Sequence, residues 1–175
     1  DISMNYVDVW GHNSYIGYEF NCYFDYYREL TAKPLLLTEF GVDAFNMSSK
    51  KEYQDVQADW DFHLWEQIAK NSLGGSVMEY SDEWWNTSSA YSHDYGGFYT
   101  DTQPDGYANE EWWGVMSIER NGSLDIMHPR KVYDVLRKEF LGYDEGIDKF
   151  YFQDFKGKNV AQFDSNGNVI LKGSC

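Results

Sequence analysis

The chain has 175 residues, which is enough for one ordinary domain core. It contains 29 Asp and Glu residues against 14 Lys and Arg, and the formal net charge of −15 at pH 7 argues against binding to nucleic-acid phosphates while tolerating neutral glycans and cationic partners. No run of roughly eighteen apolar residues occurs, so the sequence predicts no membrane span.

Strand and helix patterns alternate through the first 140 residues. Residues 6–10, 35–38 and 76–80 predict strands, and the apolar periodicity of residues 19–30 predicts a helix after the first of them. A capping-box pattern at residues 49–52 predicts a second helix that ends near residues 71–75, and Pro129 predicts the start of a third that runs to residue 140. This alternation predicts three parallel neighbouring strands with helices packed outside.

A long polar loop follows the third predicted strand, from residue 81 to residue 109, and residues 113–118 predict a short strand after it. Loops of this length are usually functional or mobile. Aromatic residues make up 19% of the chain, and many lie in this glycine-bearing region. Exposed aromatic rings there favour carbohydrate binding, because sugar rings present apolar C–H faces; the alternative is that the aromatics fill the core.

The tail has a different pattern, and we assign residues 1–141 and 142–175 to separate domains. Residues 160–163 and 169–171 predict a hairpin about an Asn-Gly turn. The turn also resembles a calcium loop weakly, but its glycine is at the fourth position and no Glu closes it, so the hairpin explains it better. Asp94, Asp101 and Asp105 are a weaker calcium alternative, and we predict no metal site and no cofactor.

Glu39 is the most informative residue. It ends a short apolar run that follows Pro34, and Gly41 comes two residues later. The run predicts a strand buried on both faces, as in parallel sheets. A carboxylate at the end of such a strand points into the crevice where α/β folds bind ligands. The alternative is a Glu that caps or pairs locally.

The segments around Glu39 resemble a known group of enzymes. Residues 13–15 (Asn-Ser-Tyr) and 33–41 resemble β-glucuronidase-type enzymes, whereas residues 74–80, 112–115 and 121–122 are more similar to fungal β-1,3-glucanosyltransferases. Both belong to a large clan of retaining glycoside hydrolases that includes family 2, and the resemblance covers residues 7–140. It implies an α/β fold: a partial (β/α)8 TIM barrel, formed by the last three strand–helix units, with a small C-terminal β appendage.

A complete barrel needs roughly 250 residues. The resemblance therefore implies that the N-terminal barrel half lies on the same precursor or on another chain. In the clan, the residue that matches Glu39 is the catalytic nucleophile, and the one that matches Tyr15 donates a hydrogen bond to it. The clan's acid/base Glu follows an Asn well before the nucleophile, and no such segment precedes Glu39 here. We interpret Asn109-Glu110 as a loop feature and expect the acid/base on the N-terminal part.

Further residues are candidates for sugar binding. They lie beside Tyr15 or follow the third predicted strand, where carboxylates next to tryptophan suit sugar diols. The alternatives are a structural histidine, solvated loop charges and core packing. The candidates are His12, Asn13, Glu79, Asp82, Glu83, Trp84 and Trp85.

Three Asn-x-Ser/Thr sequons, at Asn46, Asn86 and Asn121, favour an extracellular or cell-surface glycoprotein. Cys22 and Cys175 allow one internal disulfide or bridges to another polypeptide. The sequence thus predicts a retaining glycoside hydrolase or transglycosylase that acts on β-linked glycans or oligosaccharides. The alternative is a catalytically silent barrel that serves as a glycan-binding or structural extracellular module.

Overall fold

The computed structural model describes residues 4–86, 89 and 91–141, together with the backbone of three strands in the tail. The chain divides into two compact units, Asp1–Val135 and Leu136–Cys175. Two short 3-10 turns lie at Trp84–Asn86 and Glu110–Trp112. The other elements, in chain order, are β1 (Trp10–Asn13), α1 (Tyr23–Leu30), β2 (Leu35–Phe40), β3 (Phe45–Asn46), β4 (Lys51–Glu52), α2 (Gln54–Asn71), β5 (Gly75–Val77), β6 (Phe98–Tyr99), β7 (Tyr107–Ala108), β8 (Met116–Asn121), β9 (Leu124–Pro129), α3 (Lys131–Leu141), β10 (Phe150–Gln153), β11 (Asn159–Phe163) and β12 (Val169–Leu171).

The three predicted parallel strands are present. β1, β2 and β5 form one sheet in that order, and both pairings are parallel. The boundaries of all three strands differ from the prediction, and the second extends to Phe40. The first strand begins at Trp10, whose N–H donates to Pro34 O at 2.9 Å, and the third ends at Val77. Apolar pattern alone does not show where a partner strand begins.

The expectation of a partial (β/α)8 barrel is wrong. The part of the chain that the structure describes has three helices and small sheets of two or three strands, and it forms no closed barrel. In a barrel an α-helix would directly follow β5. Here residues 81–115 and the antiparallel β8–β9 hairpin lie between β5 and α3. Strand–helix units therefore stop repeating, and the result is a small α/β domain.

The core of the first unit lies on one face of the parallel sheet. Leu35, Leu37 and Phe40 of β2 pack against apolar side chains of α2 and of the segment leading through α1, namely Phe20, Phe24, Leu64 and Ile68. On the other face Leu36 is 37% exposed and Thr38 is exposed. The prediction that β2 is buried on both faces is therefore wrong for this chain, since only one face is covered by helices.

The predicted capping box at residues 49–52 does not form. Ser49 donates to Asn46 Oδ1 from both its backbone N and its hydroxyl, at 3.0 Å each, and closes the turn between β3 and β4. α2 begins at Gln54 without a side-chain cap. A local hydrogen bond to Asn46 thus competes with the helix for the Ser49 side chain.

The second unit contains the antiparallel sheet β10–β11–β12. β11 pairs with β12, which confirms the antiparallel pairing predicted for the tail, with Phe163 opposite Val169. The predicted Asn-Gly turn and the calcium alternative at residues 164–168 lie outside the described residues, as does Cys175. Cys22 is an exposed free thiol.

Candidate functional site

Glu39 and Tyr15 meet at the ends of two neighbouring strands. The Tyr15 hydroxyl donates a hydrogen bond of 2.7 Å to Glu39 Oε2. Ser14 N donates to Glu39 O at 2.9 Å, which anchors the segment that follows β1 to the end of β2. Irregularities in the register occur on both sides of β2 near Glu39. Such bulges re-aim side chains at sheet ends, and here the carboxylate of Glu39 reaches the Tyr15 hydroxyl.

Tyr15 is a donor that keeps its proton. Burial, the hydrogen bond to Glu39 and the charges of nearby carboxylates all raise its pKa far above the usual value for tyrosine. Its ring also contacts Trp113 edge-on, with ring centroids 5.1 Å apart. The tyrosine is therefore held from two sides and presents its O–H to Glu39 at any physiological pH.

A cleft of about 220 Å³ opens beside this pair. Its wall combines carboxylates, hydroxyl and amide groups, and aromatic rings. The lining residues are Tyr15, Glu39, Met78, Phe98, Thr100, Thr102, Gln103, Ala108, Glu110 and Trp113. Sugar sites use this combination, because hydroxyl groups need polar partners and C–H faces need apolar ones.

Glu110 was not among the predicted site residues, yet it lines the same cleft as Glu39. It lies in a 3-10 turn that buried Asn109 caps, since Asn109 Oδ1 accepts from Glu111 N at 3.2 Å. Glu110 Oε2 accepts from Asn86 Nδ2 at 3.1 Å. The Asn109-Glu110 pair was the available sequence signal, but its distance along the chain from Glu39 concealed its position.

Glu79 lies close enough to the cleft for its charge to act on Tyr15. Burial raises the pKa of Glu79 to about 8, and the charge and hydrogen bond of Glu83 add to the shift. Glu79 therefore keeps its proton at neutral pH, because burial and the adjacent carboxylate of Glu83 both disfavour its ionised form. Neither residue is part of the cleft wall.

Asp82 is fully buried and faces Arg130. The guanidinium donates to both carboxylate oxygens, at 2.5 and 2.7 Å. His93 Nε2 lies 2.7 Å from Asp82 Oδ2, and Gly114 N donates to Oδ1 at 3.0 Å. Both carboxylate oxygens of Asp82 therefore already have hydrogen-bond partners within the protein, and we propose no sugar contact for Asp82.

The two tryptophans differ in environment. Trp84 is 3% exposed and packs edge-on against His93, whereas Trp85 is 61% exposed. His12 accepts or donates a hydrogen bond of 2.6 Å with Tyr23, and Asn13 accepts one of 2.6 Å from Thr38. None of these four predicted sugar-binding residues lines the cleft, and their predicted roles stay predictions.

The predicted glycosylation sites also differ. Asn46 accepts the two hydrogen bonds from Ser49, and Asn86 donates to Glu110. Asn121 is exposed at the tight turn between β8 and β9, where Gly122 has a φ of 64°. Asn86 and Asn121 are both exposed, whereas Asn46 is half-buried.

Asp43 connects the strand of Glu39 to the turn of Glu110. This buried carboxyl accepts from Asn109 N and from Phe45 N, both at 2.8 Å. Its own backbone N donates to Gln103 Oε1 at 3.2 Å. Asp43 therefore holds the cleft-lining segment of residues 103–110 against the end of β2.

Stability should fall as pH rises between about 4 and 8. Burial raises the pKa of Asp43 and of Glu79 to about 8, and burial raises that of Asp61 as well. These groups keep their protons in the folded chain but lose them near pH 4 when unfolded, so the unfolded state binds fewer protons in this window and the free energy of unfolding declines.

We expect a melting temperature several degrees lower at pH 8.5 than at pH 5, measured by circular dichroism. Asp43→Asn should make this dependence shallower, because the amide cannot lose a proton. Asp101→Asn, which changes an exposed residue, is the matched control and should leave the slope unchanged. An equal slope in the Asp43 variant would contradict the assignment.

Among the described residues, no group of three or more His, Cys, Asp or Glu side chains is arranged to hold a metal ion. Within the same part of the chain, no helix has the length and apolar character needed to cross a membrane.

Comparison with protein-family models and with curated proteins finds no match for this chain.

Proposed function

We propose that the chain belongs to a retaining glycoside hydrolase or transglycosylase acting on β-linked glycans, with Glu39 as the nucleophile. The observation that carries this proposal is the 2.7 Å hydrogen bond from Tyr15 to Glu39 at the edge of a cleft. A nucleophilic carboxylate must be ionised and aimed, and a hydrogen bond from a group that stays protonated favours the ionised form and orients it.

The chemistry follows in two steps. A Glu39 oxygen attacks the anomeric carbon while the glycosidic C–O bond breaks, and a general acid protonates the leaving oxygen. Water or a sugar hydroxyl then attacks the same carbon and gives its proton to the residue that acted as the general acid. The C–O bond between the sugar and Glu39 breaks, which releases Glu39. Water gives hydrolysis, and a sugar hydroxyl gives transfer.

A general acid/base on the N-terminal part, on the same precursor or on another chain, stays a prediction. Glu79 and Glu110 are two further carboxyls close to Tyr15, and the sequence predicted no catalytic role for either. Glu110 lines the cleft, and Glu79 holds a proton at neutral pH. Their variants are therefore the informative controls for any activity measured with this protein.

A catalytically silent glycan-binding module is the second candidate. The observation that favours it is that no Asn-Glu segment matching the acid/base of the clan precedes Glu39 in the sequence. The two candidates differ in a single result, since only an enzyme forms a covalent bond between sugar and Glu39.

Trapping with a fluorinated β-glycoside, followed by peptide mass mapping, tests the proposal. Fluorine beside the anomeric centre slows the second step, so the glycosyl-enzyme accumulates. We expect the label on the peptide that contains Glu39. A label on a peptide containing another carboxylate would overturn the assignment, and glycan binding without any label would favour the silent module.

The proposed location is extracellular or at the cell surface, which suits an enzyme of cell-wall glycans. The exposed Asn121 at the β8–β9 turn supports it. Protein secreted from a eukaryotic host should carry a glycan on the Asn121 peptide, and Asn121→Gln should remove that mass. An unmodified Asn121 in secreted protein would count against this location.

A further inference from the structure

We propose that Phe98 is a stacking platform for a second sugar unit, so that the site takes a glycan chain rather than a simple glycoside. This inference rests on the proposed function and specifies its substrate class. Three observations support it: the exposure of Phe98, its position in the cleft wall, and the close packing of its strand β6 against β7.

Phe98 presents an exposed ring in the wall of the cleft. It lines the cleft and is 54% exposed, whereas Trp113, which lines the same cleft, is buried. Leaving such a ring in water forgoes part of the stabilisation that burial of an aromatic side chain supplies. A ligand that covers the ring recovers that stabilisation, and the apolar C–H face of a pyranose is of the right size and shape.

The hairpin that carries Phe98 is constrained. Phe98 pairs with Ala108, which also lines the cleft, and Thr100 N donates to Gly106 O at 3.0 Å. A Cβ at Gly97 would lie 2.7 Å from the Tyr107 ring and would also collide with Ala108 O. Only glycine allows this close approach, so the backbone immediately before Phe98 is fixed against β7.

The enclosed volume of the cleft is smaller than that of a typical ligand pocket. The cleft measures about 220 Å³, which is below the ~300–1,000 Å³ of pockets for drug-sized ligands. An oligosaccharide therefore extends beyond the enclosed space. The half-exposed ring of Phe98 is the apolar surface that such an extension meets at the cleft wall.

Tyr99 provides a matched control on the same strand. It is 80% exposed, and its ring contacts Tyr107 edge-on at 5.1 Å. Successive side chains of a strand point to opposite faces, and Tyr99 is not part of the cleft wall. Both Phe98 and Tyr99 therefore have an exposed aromatic ring, but only Phe98 lines the cleft.

The test uses the protein with Glu39→Gln, which prevents turnover. Isothermal titration calorimetry compares β-1,3- and β-1,4-linked glucohexaose with the matching methyl β-glucoside. Phe98→Ala should weaken hexasaccharide binding by about tenfold and change glucoside binding by less than about twofold, since the proposed platform serves the second sugar unit and not the one beside Glu39. Phe98→Trp should restore the affinity, and Tyr99→Ala should leave both affinities unchanged. Matching circular dichroism melts would establish that each variant is folded.

The outcomes separate this inference from the proposed function. If the hexasaccharide binds but Phe98→Ala has no effect, or weakens both ligands equally, the platform is refuted while the proposed function stands. If neither hexasaccharide nor glucoside binds and no fluorinated glycoside labels Glu39, both are refuted.

Discussion

Replacing Glu39 with Gln is expected to lower turnover by several orders of magnitude while glycan binding persists. The amide keeps the shape of the side chain but lacks the charge that attacks the anomeric carbon. Contacts from the rest of the cleft wall remain, so the loss should appear in kcat rather than in binding. Steady-state kinetics on an aryl β-glycoside, with calorimetry for binding, measures the two effects separately.

Two further variants make this experiment specific. Tyr15→Phe removes one hydrogen bond to a charged group, which is worth roughly 1.5–3 kcal/mol, so turnover should fall about 10- to 150-fold. Glu110→Gln removes the other carboxylate of the cleft wall. If the proton donor lies elsewhere, the Glu110 variant should retain most of its activity. Full activity in Glu39→Gln would disprove the role of Glu39.

Replacing Arg130 with Met is expected to lower the free energy of unfolding by about 3–5 kcal/mol. Both Arg130 and Asp82 have fully buried side chains, and the guanidinium also donates to Gly114 O at 2.6 Å and to Glu52 Oε1 at 3.0 Å. Removal of the cation leaves the carboxylate of Asp82 buried without its principal partner. Urea denaturation followed by tryptophan fluorescence measures the loss.

The adjacent residue offers a control. Lys131 pairs with Asp55 at 2.6 Å, but both side chains are largely exposed. Exposed pairs contribute roughly 0–1 kcal/mol, so Lys131→Met should change stability little. Adding Asp82→Asn to Arg130→Met should recover part of the loss, because it removes the uncompensated charge. Equal losses in the Arg130 and Lys131 variants would show that the buried pair is not structural.

The Arg130–Asp82 pair also bears on the cleft. Arg130 donates to Gly114 O, and Asp82 accepts from Gly114 N. Gly114 follows Trp113, which lines the cleft and packs against Tyr15. A side chain at Gly114 would collide with the backbone of Ser81 and Asp82. The buried ion pair therefore holds in place the segment that supports the tyrosine.

Local pattern was a good guide to the position of Glu39. The apolar run before Glu39 predicted its place at the end of a parallel strand, and the resemblance predicted that Tyr15 would contact it. Both depend on signals that extend over a few residues, because the carboxyl ends of neighbouring parallel strands meet at the same edge. The antiparallel pairing in the tail was equally local.

Local pattern was a poor guide to what lies beyond the sheet. The barrel was an extrapolation from three strands, and the β8–β9 hairpin replaces the continuation that a barrel requires. The capping box at residues 49–52 failed because a nearby Asn side chain competed for Ser49. The pattern of residues 49–52 does not show whether Ser49 will bond to the helix backbone or to the Asn46 side chain.

The sequence by itself determined the parallel strand–helix–strand core and the candidate pair Tyr15 and Glu39. Only the tertiary structure decided which distant residues join them. Glu110 and Phe98 reach the cleft through a long loop, Asp43 bonds to Asn109 across 66 positions, and Arg130 pairs with Asp82 across 48. The reason is physical: periodicity encodes which face of an element is apolar, whereas the meeting of separate segments depends on packing, burial and charge pairing that no local pattern contains.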